Sequence, residues 1–173
     1  MSVRAAALLL AAWAGLAQAS SGSLESRQLL FPVQGYDLAQ LRDTFDERRG
    51  GSKHEALDIM AARGTPVLAV DDGRVVKLFK SVPGGTTLYQ FDTAETVAYY
   101  YAHLDRYAPG IGEGKRVKRG EVIGYVGSTG NAAADAPHLH FAIFKLGADR
   151  KWWKGVAINP YPYFVPQGSR RSR

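Results

Sequence analysis

The sequence predicts a mostly β fold, an antiparallel sheet of sandwich-like or partly open barrel form, with one N-terminal helix. Three observations carry this reading. From Thr65 onward, short runs rich in β-branched and aromatic residues follow one another. Glycine-containing turn signals separate them, and a single amphipathic segment precedes them. The 173 residues suit one domain that buries a core without cross-links, and the chain has no cysteine.

Taken in order, the helix is expected over Asp37 to Arg48, where Leu38, Leu41 and Phe45 fall on one helical face. Asp37 stands at the N-cap with Gln40 three residues on, as a capping box requires, and Gly50-Gly51 ends the segment. Strands are expected at Val67 to Val70, Gly73 to Phe79, Thr86 to Phe91, Thr96 to Tyr101, Val122 to Val126 and Leu139 to Phe144. The turns between them carry Asp71-Asp72-Gly73, Pro83-Gly84-Gly85, Pro109-Gly110 and Gly127 to Gly130. No repeat or linker divides the chain, so one domain is expected over residues 31–166.

The ends read differently. Met1-Ser2-Val3-Arg4 gives a basic start, Ala5 to Ala17 is almost wholly apolar, and Ala17-Gln18-Ala19 offers a small-x-small cleavage site. A removed signal peptide over residues 1–19 follows, since the apolar stretch is short for a bilayer span. No stable membrane insertion is expected after its removal. Residues 20–30 are small and polar and read as a flexible lead-in, and residues 167–173 as a solvated basic tail. Export without disulfides suits a bacterial periplasm or the medium. The formal net charge of +6 favours anionic polymers such as those of a cell wall. Basic residues are dispersed apart from Lys115 to Arg119 and the tail, and no nucleic-acid-binding motif is present, so no nucleic-acid partner is expected. A monomer is expected.

Only four histidines occur, and each stands where metal-assisted hydrolysis would use it. His54 precedes Asp58 by four residues, His103 follows a strand-like run in Tyr101-Ala102-His103-Leu104, and His138 and His140 bracket Leu139. Two neutral imidazoles and one carboxylate suffice for a catalytic zinc with an open position. Two imidazoles are then left for proton transfer. On a strand, His138 and His140 point to the same face. Spacing alone does not say which of those two binds metal. His54-Glu55 also begins like the helical HExxH motif, with Glu55 as general base. That motif needs histidine at position 58 and an unbroken helix, whereas Asp58 and the break at Gly64-Thr65-Pro66 stand here. Of Tyr99, Tyr100 and Tyr101, alternation along a strand sends some to the core and others to the cleft.

In this order, His54-x-x-x-Asp58, Tyr101-Ala-His103-Leu104 and His138-Leu-His140-Phe141 resemble the lysostaphin-type (LytM-like) zinc metallopeptidases. The resemblance extends over roughly Phe31 to Pro166 and includes Gly64 to Val75, Val117 to Gly124 and Gly127-Ser-Thr-Gly130. It implies zinc bound by His54, Asp58 and His140, with His103 and His138 as the unliganded catalytic pair. It also implies long loops around a zinc cleft; the candidates are Ser81 to Thr86, Ala108 to Lys115 and Asn131 to Ala136. The implied substrate is a peptidoglycan stem or cross-bridge peptide. The other readings are a non-catalytic wall-binding regulator of the same fold and a zinc peptidase acting on proteins. One departure stands out: the family commonly has glycine where this chain has Ala56, and a left-handed backbone there would disfavour alanine.

Overall fold

A computed structural model describes residues 23–165; the expected leader at 1–19 and tail at 167–173 lie outside them. Eleven strands form in chain order: β1 Arg48–Arg49, β2 Ser52–Lys53, β3 Leu57–Met60, β4 Pro66–Leu68, β5 Gly73–Ser81, β6 Gly85–Asp92, β7 Val97–Tyr107, β8 Arg116–Val117, β9 Val122–Val126, β10 His138–Leu146 and β11 Gly155–Ile158. β1 and β2 make a small hairpin, and the other nine belong to one sheet. Its path runs β11-β10-β7-β6-β5-β8, with β3 added to β10, β9 to β7 and β4 to β9. Every pairing is antiparallel, and the sheet is not closed into a barrel.

Alternation along the strands builds the core. Leu139, Phe141 and Ile143 of β10 and Tyr99 and Tyr101 of β7 are fully buried, and they join Leu57, Ile59, Val67 and Ile123 in one cluster. The residues between them on β3 and β10, namely Asp58, His138 and His140, face the other way. One period-2 pattern therefore makes both the core and the site. Residues 24–30 pack against the domain: Leu24 and Leu29 are buried, Leu30 N–H donates to the Val70 carbonyl at 2.9 Å, and Arg27 pairs with Asp71 and Asp92.

The expected N-terminal helix is not formed. Asp37 caps the Ala39 N–H at 3.0 Å, yet only one 3-10 turn, Leu38–Gln40, follows. Leu38 is exposed while Leu41 is buried, so the supposed apolar face is not a face. Further on, Asp43 takes the Phe45 N–H and Thr44 bonds across to Ala56 and Asp58. Short polar side chains that capture nearby backbone compete with helix propagation. This segment is tied to β3 instead.

Candidate metal and catalytic site

The register of β3 against β10 sets Asp58 directly opposite His140, and β10 against β7 sets His140 opposite Ala102. His54 comes from the bend before β3, where its N–H donates to the Glu47 carbonyl at 2.8 Å. Glu55, the next residue, adopts a left-handed backbone at φ 55°. The left-handed residue of this turn is thus Glu55, while Ala56 has an ordinary φ and is buried. His103 is placed by a bulge. Between the pairs Leu88–Tyr101 and Thr86–Leu104, β7 carries one residue more than β6, and His103 takes φ 58°. Bulges of this kind re-aim a side chain beside an active site.

The side chains converge. His54 Nε2, Asp58 Oδ1 and His140 Nδ1 form a triangle with each edge 3.1 Å. Three donors held about 2.0–2.1 Å from one tetrahedral ion lie about 3.3 Å apart, so the triangle fits a metal of that kind. The hydrogen bonds agree. His54 Nδ1 lies 3.0 Å from the Thr44 carbonyl, which can only accept, so Nδ1 carries the proton and a neutral Nε2 presents its lone pair. That lone pair faces an oxygen of Asp58, and a shared cation would reconcile the two.

The other two imidazoles are oriented in the same way. His103 Nδ1 lies 2.8 Å from the Thr129 carbonyl and His138 Nδ1 2.9 Å from the Ala136 carbonyl, which leaves each Nε2 free. Their ring centroids are 4.8 Å apart, and His138 Nε2 lies 3.8 Å from Asp58 Oδ2. The cleft, about 200 Å³, is lined by Arg49, Tyr100, His103, Asn131 and the Pro83-Gly84 turn as well as by His54 and His140. The loops at 81–86 and 131–136 contribute to it as expected. The loop at 108–115 does not; it packs on β5, where Lys115 accepts from Val75 N–H and Glu113 pairs with Lys77.

Electrostatics follow from burial and partners. Burial resists ionisation of Asp58, but the His140 ring and the Arg49 guanidinium outweigh it and hold the carboxyl far below the ordinary carboxylate range. Burial pushes the His140 imidazole down against the pull of Asp58, and pushes His103 down against the Thr129 carbonyl. Both rings are thereby biased to the neutral form that binds a metal or accepts a proton. Glu55 is exposed and outside the cluster, and the segment it opens is a strand, so the helical HExxH reading does not apply.

Sequence reasoning missed four supports. Arg49, on the β1–β2 hairpin, donates to Asp58 Oδ2 at 2.6 Å. Thr44 holds both His54 and the Asp58 N–H, and the carbonyls of Thr129 and Ala136 fix the rings of His103 and His138. Arg49 left a signal, a basic pair before a Gly-Gly turn, and the Thr44 hydroxyl only a lone side chain; the carbonyls of Thr44, Thr129 and Ala136 leave none, because every residue has one.

Residues 52–160 match the model of peptidase family M23. The chain is 33% identical over 150 residues to the L-Ala–D-Glu endopeptidase of Bacillus subtilis (strain 168), covering 82% of this chain and 44% of that protein. It is 36% identical over 119 residues to the glycyl-glycine endopeptidase ALE-1 of Staphylococcus capitis, covering 68% of this chain and 31% of that one. It thus spans less than half the length of these relatives. Among solved structures, the catalytic domain of the antimicrobial peptidase lysostaphin from Staphylococcus simulans superposes with a TM-score of 0.61 at 28% identity, covering 73% of this chain and 94% of that domain. The chain belongs to peptidase family M23.

Proposed function

We propose that the protein is an exported zinc-dependent endopeptidase that hydrolyses peptide cross-links or bridges of bacterial peptidoglycan. The observation that carries this reading is the 3.1 Å triangle of His54, Asp58 and His140, with two further imidazoles presenting free Nε2 atoms at its edge. Two nitrogens and one carboxylate oxygen suit zinc and leave a position open. The names of the relatives, an L-Ala–D-Glu and a glycyl-glycine endopeptidase, support a wall-peptide substrate. Among the described residues no helix is long and apolar enough to cross a membrane.

When bound, zinc would supply Lewis acidity, lowering the pKa of water to about 7 and polarising the scissile carbonyl. The rest is done by this chain's residues. His103 and His138, their Nδ1 protons committed to carbonyls, act through Nε2. One takes the proton of the attacking water and returns it to the leaving amine. The other, protonated, donates to the oxygen on which charge develops, a contribution of about a hundredfold or more for one lost donor. Arg49 holds Asp58 Oδ2, which keeps Oδ1 turned to His54 and His140. Tyr100, on the cleft side of β7, forms part of its wall.

Incubation of the protein with purified peptidoglycan, with soluble products identified by mass, tests the reading. New peptide ends that disappear on chelation and return with zinc are expected. Unchanged peptidoglycan in the presence of zinc-loaded protein would contradict it.

A further inference from the structure

From His140 and the cleft wall at Tyr100, the same face of the sheet continues into a row of rings that the hydrolysis just described does not use. His140 on β10 is followed by Tyr100 on β7 at 5.9 Å between centroids, Tyr89 on β6 at 4.5 Å, and Phe79 on β5 at 6.2 Å. Tyr89 and Tyr100 are direct cross-strand partners, so the register itself builds the row. Trp152, from the loop between β10 and β11, is laid over the far end, 5.0 Å from Tyr89 and 5.4 Å from Phe79. Trp153 stands edge-on beside it at 5.2 Å and is 62% exposed.

We infer that Trp152 and Trp153 form a distal subsite that stacks on a sugar ring of the glycan strand carrying the peptide to be cleaved; this rests on the wall-peptidase reading above. The negative face of an indole attracts the polarised C–H face of a hexose. Trp152 already rests against both Phe79 and Tyr89, so little side-chain freedom remains to be lost on binding. Distance agrees with this occupant. The three ring-to-ring steps put Trp152 at most about 15 Å from His140, the reach of about four or five extended residues. A short stem peptide, fastened at one end to the sugar polymer, spans that gap and brings its sugar over the indoles while its peptide bond lies at the metal cluster.

A membrane surface is the other chemistry a Trp-Trp pair flanked by lysines suggests. The geometry favours the sugar. Membrane-seeking loops present rings and cations outward together. Here Trp152 lies against the sheet and is joined to the cleft wall through Tyr89 and Tyr100. Lys154 turns toward Asp149 at 3.8 Å, and Lys151 is held between Asp149, at 3.7 Å, and one face of Trp153, 5.7 Å from its centroid, so the cations are drawn in rather than presented outward.

The test has a binding arm and a turnover arm. In the first, the indole N–H resonances of Trp152 and Trp153 are followed by NMR during titration with a β-1,4-linked N-acetylglucosamine tetramer, and separately with phosphatidylglycerol vesicles. In the second, KM is measured for a disaccharide-peptide and for the same peptide without sugar. The tetramer is expected to shift both resonances. Trp153→Ala, an exposed position that leaves the core untouched, should weaken tetramer binding about tenfold and raise KM for the sugar-bearing substrate by a similar factor. Trp152→Phe should fall between, and hydrolysis of the free peptide should stay within about twofold of wild type in both variants. Silent indoles, a response to vesicles alone, or equal losses on both substrates would overturn the subsite and leave the peptidase reading standing. Tetramer binding through the indoles without cleavage of either substrate would keep the subsite and overturn the peptidase reading.

Discussion

Tyr99 and Tyr101 share β7 with Tyr100 between them, yet they belong to different chemistries. On the inner face, Tyr101 donates to Gln90 Oε1 at 2.9 Å and accepts from Val70 N–H, and Gln90 donates to the Asp71 carbonyl. Tyr99 donates to Asp71, and Arg27 joins Asp71 to the buried Asp92, which also takes the N–H groups of Thr96 and Val97. Each polar group there is satisfied by another of its own network. On the outer face, Tyr100 borders a cleft in which His54, Asp58 and His140 aim at a common point and His103 and His138 keep one nitrogen open. A closed network contributes stability, whereas one with deliberate openings leaves partners for a metal and a substrate.

Substitutions on the two faces should therefore fail differently. The largest effect is expected at His140→Ala, which removes a corner of the triangle: bound metal and hydrolysis should be lost together while the melting transition stays cooperative. Metal analysis beside a turnover assay checks this; retention of full metal would show that the triangle is not the site. Arg49→Gln should come next. It frees Asp58 Oδ2 without removing a ligand, so metal affinity should fall by about tenfold, as losses of a ligand's outer partner do, measured by competition with a chelating dye. Unchanged affinity would reduce Arg49 to a bystander.

Asp92→Asn probes the inner face. It should lower stability by about 2–4 kcal/mol, because Arg27 loses a buried counter-charge, and leave turnover per folded molecule unchanged. Burial opposes the Asp92 charge, but the Val97 N–H, the Arg27 guanidinium and the Thr96 N–H prevail and hold the carboxyl below its ordinary value. A depressed carboxyl contributes fully above its unfolded pKa of about 4 and loses that contribution as pH falls through the folded value. The gap in urea midpoint between wild type and Asp92→Asn should thus be constant near neutrality and narrow only on acidification below about pH 4. A gap that widens in acid would refute the assignment. The smallest effect is expected at Glu55→Gln, exposed and outside the cluster, whose hydrolysis should match wild type. Loss of turnover with metal retained there would restore Glu55 as a base.

Side-chain identity made much of this legible in advance. The alternation around Leu139 foretold a strand with both histidines on one face, and the order of the histidine motifs foretold the family. What escaped was set by the backbone. The bulge that turns His103 into the cleft depends on one extra residue in β7, which no composition signals. The helix expected from Asp37 stopped after a turn because Asp43 and Thr44 bond locally and across to β3, a competition decided by tertiary partners. The left-handed backbone that would have disfavoured Ala56 occurs one residue earlier, at Glu55.

The central claim is that the site divides into residues that hold a metal and residues that move protons. The most direct test measures bound zinc and turnover on the same sample of His103→Ala. Full zinc occupancy with kcat lowered by about a hundred- to ten-thousandfold is predicted, the usual worth of a positioned acid or base. Turnover equal to wild type, or zinc lost along with activity, would contradict that division.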